Sequence, residues 1–195
     1  MGKEKYLKTI GDLFGKSAVV NYSSIERVVR KKKNIKQYTK KLIRNLILKG
    51  KIKKITRGFY TSHDDPSLAV YCFKPAYLGL QDALSFHNLW EQESIPVIIT
   101  ARKARQGIRK IMGINVLIRR IDKKYCFGFQ HYDDGGIYLP YSDVEKTFID
   151  MVYFKEKLSQ EAIKNIERIV NIKKINSYIN SYPNKIRKRV LDLLN

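Results

Sequence analysis

Five side chains in the second half of the chain, Asp133, Asp134, Glu145, Lys146 and Asp150, have the types that metal-dependent nucleases gather. Carboxylates of such a set converge on Mg²⁺ beside a phosphate, and a lysine steadies the developing charge. Each also has a plainer role. Asp133-Asp134-Gly135-Gly136 reads as a hairpin turn, and Ser142-Asp143-Val144-Glu145 as a capping box opening a helix. Lys146 and Asp150 then stand four residues apart as an ordinary helix pair. His63, His87 and His131 are scattered, with no partner at helical spacing and no cysteine neighbour. Cys72 and Cys126 are too few for a zinc site or a disulfide framework. No serine elbow or glycine-rich phosphate loop occurs. The expectation is a protein without catalytic activity, metal or cofactor, with a metal-dependent nuclease as the enzymatic alternative.

Charge points to a different chemistry. The 195 residues carry 39 Lys+Arg against 18 Asp+Glu, a formal net of +21. Residues 1–62 hold 18 of those cations and only three acids, Glu4, Asp12 and Glu26, for a net of +15. A merely lysine-rich surface would spread the excess evenly, so the asymmetry predicts a polyanion-binding module at the N-terminus. The 44% hydrophobic content can fill a core and excludes global disorder. No stretch approaches the ~18 apolar residues of a membrane span. Lys3-Glu4-Lys5 does not begin a secretory signal. A soluble, cytoplasmic protein with no membrane partner is expected. The polar junction Thr61-Ser62-His63-Asp64-Asp65-Pro66 divides residues 1–62 from residues 66–195.

The elements that would position the N-terminal cations are legible. Tyr6, Leu7, Ile10, Leu13 and Phe14 recur at helical spacing. Ser23-Ser24-Ile25-Glu26 reads as a capping box for a second helix, which buries Ile25, Val28 and Val29. The basic run Arg30–Lys33 would form the turn. In a third helix capped by Asn34, Ile35, Thr39, Leu42 and Leu46 share one face, and Gln37, Lys40, Lys41 and Arg44 the other. That second face suits the major groove, where Arg and Lys reach guanine edges or phosphates and Gln pairs with adenine. A solvated surface helix would look the same, and residues 50–61 decide between the two. Gly50 ends the helix, and strand 51–55, turn Thr56-Arg57-Gly58 and strand 59–61 make a basic hairpin. Three helices and a hairpin predict a winged helix-turn-helix, with Lys53, Lys54 and Arg57 on the wing.

Residues 66–195 read as a mixed α+β domain. Short helices are expected at 66–71 and 79–89, and strands at 95–100, 115–121, 125–132 and 137–141. A helix starts at 142, burying Phe148, Ile149 and Val152, and helical sequence runs from 159 to 194, broken near Ser181-Tyr182-Pro183. The whole chain is thus expected to be α+β, a winged helix-turn-helix followed by a small, mostly antiparallel sheet with C-terminal helices. Trp90, Tyr125, Phe127, Phe129 and Tyr132 could stack single-stranded bases, which keeps an RNA-binding regulator as an alternative.

Leu46-Ile47-Leu48-Lys49-Gly50-Lys51-Ile52 followed by Ile55-Thr56-Arg57-Gly58-Phe59-Tyr60 resembles the helix-to-wing segment of AbiE-type antitoxins of abortive-infection toxin–antitoxin operons. Pro75-Ala76-Tyr77-Leu78, Ala83-Leu84 and His87-Asn88-Leu89 are similar to a second stretch of that family. Ile137-Tyr138-Leu139-Pro140-Tyr141-Ser142, leading to Glu145-Lys146 and Asp150, is similar to a third. Asn88 and Gly79 depart from the Gly and Ser common in the family. The resemblance implies a promoter-binding repressor. Its winged helix would recognise inverted repeats in double-stranded DNA, and its C-terminal domain would counteract a nucleotidyltransferase-like toxin.

Overall fold

A computed structural model describes residues 2–30 and 33–194, with residues 2–5 described through their backbone only. Lys31 and Lys32, the middle of the expected basic turn, lie outside the described residues. The protein is mixed α+β and divides into two units. One runs through Cys72 and includes Ile111–Ile114; the other comprises Phe73–Lys110 and the chain from Asn115 onward. The 3-10 helix Pro66–Cys72 falls in the first unit, beyond the junction read at 62–66, because it packs against a strand of that unit.

In the first unit, α1 (Gly2–Lys16), α2 (Tyr22–Val28) and α3 (Ile35–Leu48) accompany β1 (Val20–Asn21), β2 (Lys53–Thr56) and β3 (Phe59–Thr61). The strands form an antiparallel sheet in the order β1-β3-β2, with Val20 and Lys54 both opposite Tyr60. Ile10, Phe14, Val20, Ile25, Ile43, Leu46, Ile52 and Tyr60 fill one core. The cap of α2 is Asn21 rather than Ser23. Its side chain accepts from the Ser24 N–H at 2.8 Å, so Ser23 lies inside the helix and donates to Asn21 instead. Asn34 caps α3 in position only, without a side-chain bond. At the other end Gly50 adopts φ 65°, its N–H donates to Ile47 O, and Lys51 N–H donates to Leu46 O. This paired closure needs a left-handed residue and turns the chain directly into the hairpin.

The second unit holds β4 (Ala76–Leu78), α4 (Leu80–Phe86), β5 (Val97–Thr100), β6 (Gly107–Ile111) and β7 (Ile114–Arg120) apart from their end residues Ile111 and Ile114, β8 (Phe129–Asp134) and β9 (Ile137–Ser142). Helices α5 (Val144–Tyr153), α6 (Gln160–Ile169), α7 (Ile172–Ile179) and α8 (Asn184–Asp192) complete it. The six strands run in the order β6-β7-β5-β4-β9-β8. Within this sheet β4–β5 and β8–β9 are antiparallel, while β4 pairs parallel with β9 and β5 parallel with β7. Three-residue β4, unforeseen behind Pro75, creates this arrangement by inserting between β5 and β9. The strand expected at 125–132 starts only at Phe129. Asp122 caps a single turn at Lys123–Tyr125, and Gly128 bends the chain at φ 70°. Gly135 and Gly136, both at positive φ, make the two-residue turn between β8 and β9, where Asp133 accepts from Gly136 N–H.

Asp143, not Ser142, caps α5, accepting from Lys146 N–H at 2.8 Å. The Ser142 hydroxyl is taken elsewhere, donating to Leu78 O of the neighbouring strand β4 and bonding the Thr147 hydroxyl of α5. Every residue of α5 from Glu145 to Val152 is buried, and α6, α7 and α8 all pack against it. A helix apolar on most sides belongs in such a position. α4 closes with Asn88 at φ 58° and Leu89 N–H donating to Leu84 O. Asn tolerates this left-handed site, as Gly does. At Gly79 a Cβ would meet Ile99 Cδ1 at 2.5 Å, so the absence of a side chain accommodates that isoleucine.

Candidate nucleic-acid interface

Helix α3 buries Thr39, Ile43 and Leu46 and leaves Gln37, Lys40, Lys41 and Arg44 exposed. Ile43, absent from the expected buried face, joins it at 5% exposure, while Ile35 and Leu42 are half-buried. The Thr39 hydroxyl donates to Ile35 O, which pairs this buried polar group within the helix. The Tyr22 hydroxyl donates to Lys36 O, tying the start of α2 to the first turn of α3. The β2–β3 hairpin is set by Gly58 at φ 83°, whose carbonyl accepts from Tyr22 N–H at 2.7 Å. Helix and hairpin are therefore held at fixed positions by hydrogen bonds through α2.

Between α3 and the hairpin lies an open crevice of about 280 Å³. Lys40 and Arg44 line it from the helix, Lys54 from β2, and Tyr22, Ile47 and Leu48 complete its walls. The remaining expected residues are placed differently. Lys41 lines a separate groove on the opposite flank of α3, beside Leu7 and Tyr38. Lys53 is ion-paired with Asp64. Gln37 and Arg57 are exposed outside the crevice. Three of the seven cations and polar groups thus converge, and one of the wing lysines already has a carboxylate beside it.

The acids and lysine of the nuclease alternative do not gather. Asp133 serves the turn, and Glu145 accepts from Asn171 N–H at 2.9 Å and pairs with Lys174 at 2.9 Å. Among the described residues no three His, Cys, Asp or Glu side chains are grouped as metal ligands. Lys146 and Asp150, read as an ordinary helix pair, are both fully buried and ion-paired, with the Tyr77 hydroxyl donating to Asp150 at 2.6 Å and Lys146 donating to Tyr77 at 2.8 Å. The Lys146 ammonium also lies 5.2 to 5.9 Å from the ring centroids of Tyr77, Phe127 and Tyr182. Burial pulls the Lys146 ammonium down and pushes the Asp150 carboxyl up, each against the attraction of the other. Burial and the Asp150 charge push the Tyr77 phenol far up. Phe148, Ile149, Met151 and Val152 signal a buried face on α5, but nothing in its sequence signals that the face of Lys146 and Asp150 is buried too.

Nor do the aromatic residues form a platform. Tyr125 stacks on Tyr182 at 4.2 Å, Phe129 on Tyr77 at 5.0 Å, and Phe127 meets Tyr178 edge-on. Tyr132 packs against Phe86 and His87, whose Nε2 lies 2.8 Å from Ser142 O. Trp90 packs on the core of the second unit.

The start of α5 docks α7. Lys174 bridges Asp143 and Glu145, and the Tyr178 hydroxyl donates to Asp143, its pKa pushed up to about 12 by burial and by that carboxylate. Burial pushes Glu145 up, but Asn171 N–H and Lys174 outweigh it and hold the carboxyl below its ordinary 4.5. A depressed carboxylate stabilises the fold above its unfolded value and loses that contribution as pH falls through its folded value. Lys174→Met should therefore destabilise the protein at neutral pH by about 1 kcal/mol or less, since the lysine is partly solvated. The difference should shrink below pH 4.5, as urea melts on either side of the carboxylate range will show.

No protein-family model matches the chain, and none of the curated proteins is a significant match to it. No helix among the described residues is long and apolar enough to cross a membrane.

Proposed function

We propose that this chain is a DNA-binding transcriptional repressor without catalytic activity, its first unit a winged helix-turn-helix reading a promoter. The observation that carries the proposal is the crevice between α3 and the β2–β3 hairpin, where Lys40, Arg44 and Lys54 converge from two elements. A helix fits the B-DNA major groove, and a cation on an adjacent hairpin then falls along the flanking phosphates. Gln37 and Arg44, two turns apart on the exposed face of α3, are the base-reading candidates; Lys40, Lys54 and Arg57 hold phosphates. The +15 of residues 1–62 draws the duplex in.

Support for a role as antitoxin comes from the resemblance to AbiE-type proteins. In that proposal the second unit counteracts a nucleotidyltransferase-like toxin while the first represses the operon at its inverted repeats. Fluorescence anisotropy with the protein's own upstream DNA, a scrambled duplex and an RNA of equal length, each at two salt concentrations, tests the DNA half. Preference for the upstream duplex should survive the higher salt. Equal affinities that fall together with salt would reduce the interface to electrostatic attraction, and preference for the RNA would replace the proposal. The antitoxin half is tested by the full chain carrying Arg44→Ala and Lys54→Ala, which should lose repression yet still relieve growth arrest by the neighbouring toxin.

A further inference from the structure

On the flank of α3 that faces away from the crevice, two cavities lie along α1. One, of about 290 Å³, is walled by Leu7, Tyr38, Leu42 and Leu46. The next, of about 500 Å³, is walled by Ile10, Phe14 and Ile52 and shares Leu7, Leu46 and Lys51 with the first. Together they form an elongated groove with an apolar floor. Gly11 and Gly15 line it, and a Cβ built on either meets nothing within 4 Å, so the groove is open above both. Its polar edge is one-signed: Lys41, Lys49 and Lys51 are exposed along it, and no Asp or Glu among the described residues lines either cavity.

We infer that this groove binds an amphipathic anion, an unbranched apolar chain ending in a carboxylate. The apolar floor takes the chain, and the Lys41, Lys49 and Lys51 ammonium groups take the head through charge-assisted hydrogen bonds. The cavity sizes are those of small-ligand sites, mostly apolar with a few convergent polar groups. A second copy of the chain is the poorer occupant, because it would bring another lysine-rich rim against this one. This site is independent of the crevice proposed for DNA, sharing no lining residue with it.

The test is isothermal titration of the full chain with decanoate below its micelle concentration, beside decanol and decylamine. Decanoate should bind about tenfold tighter than decanol, with decylamine weakest. Lys41→Gln with Lys49→Gln and Lys51→Gln should bring decanoate down to the decanol level. Gly11→Leu fills the groove while raising helix propensity, so the fold is kept and binding of both should be lost. Equal affinities for all three heads, or decanoate binding unchanged in Gly11→Leu, would overturn the proposal. So would a dimer in sedimentation velocity that Gly11→Leu dissociates, since the groove would then belong to a second copy.

Discussion

Lys146→Met and Asp150→Leu are each expected to destabilise the protein by about 3–5 kcal/mol, because each leaves the opposite charge buried without its partner. Lys146→Met with Asp150→Leu removes both charges and should recover most of that loss. Tyr77 would still hold a hydroxyl with no acceptor, a cost of about 1–3 kcal/mol. Adding Tyr77→Phe should therefore bring the triple variant to within about 1 kcal/mol of the wild type or above it. The physical reason lies in the directions of the two shifts. Burial pushes Asp150 up and Lys146 down although each faces the other, so desolvation works against their attraction, as for buried ion pairs in general. Its surroundings are built around the lysine stem. Gly128 crosses so closely that a Cβ there would lie 2.9 Å from Lys146 Cβ, which is why methionine, of similar length, is the replacement. Urea melts of the wild type and the four variants form the measurement. A triple variant as unstable as the singles would mean that the ionised pair itself holds α5 against β4.

What was legible in the sequence was local. The exposed face of α3, its glycine stop and the hairpin after it depend on residues within a few positions of one another, and the structure forms each from those residues. Caps were legible in kind but not in position. Asn21, Ser23 and Ser24 are all capable of capping, and the chain's exit from β1 selects Asn21. Strands β1 and β4 are two and three residues long and exist through partners elsewhere in the chain, so no periodicity announces them. The parallel joints of the larger sheet are invisible for the same reason. Lys146 and Asp150 show the limit most clearly. Their spacing gives the ion pair, but their burial is supplied by Gly128 and by helices α6–α8, far along the chain. At the interface, Asp64 stood in what read as a linker, and its pairing with Lys53 is a tertiary fact.

That pairing separates the effects expected of the individual cations on DNA binding. Arg44→Ala and Lys54→Ala each remove a cation from the crevice, and each should flatten the log–log dependence of affinity on salt by about 0.9. Arg44→Ala should also cost about 1–3 kcal/mol on the upstream duplex and relax preference at one base pair, whereas Lys54→Ala should weaken all duplexes alike. Lys53→Ala should change the slope far less, because Asp64 already neutralises the lysine and would have to be released for a phosphate to replace it. Lys41→Ala should leave the slope unchanged, its side chain lying on the other flank of α3. Anisotropy titrations of the four variants over a salt series distinguish this ordering from a diffuse field. If charge alone attracted the duplex, all four would lower the slope equally. A graded result, with Arg44 and Lys54 large and Lys53 and Lys41 small, would locate the phosphates between helix and hairpin. Such an ordering depends on geometry that the count of lysines does not contain, so it tests the position of the interface separately from its charge.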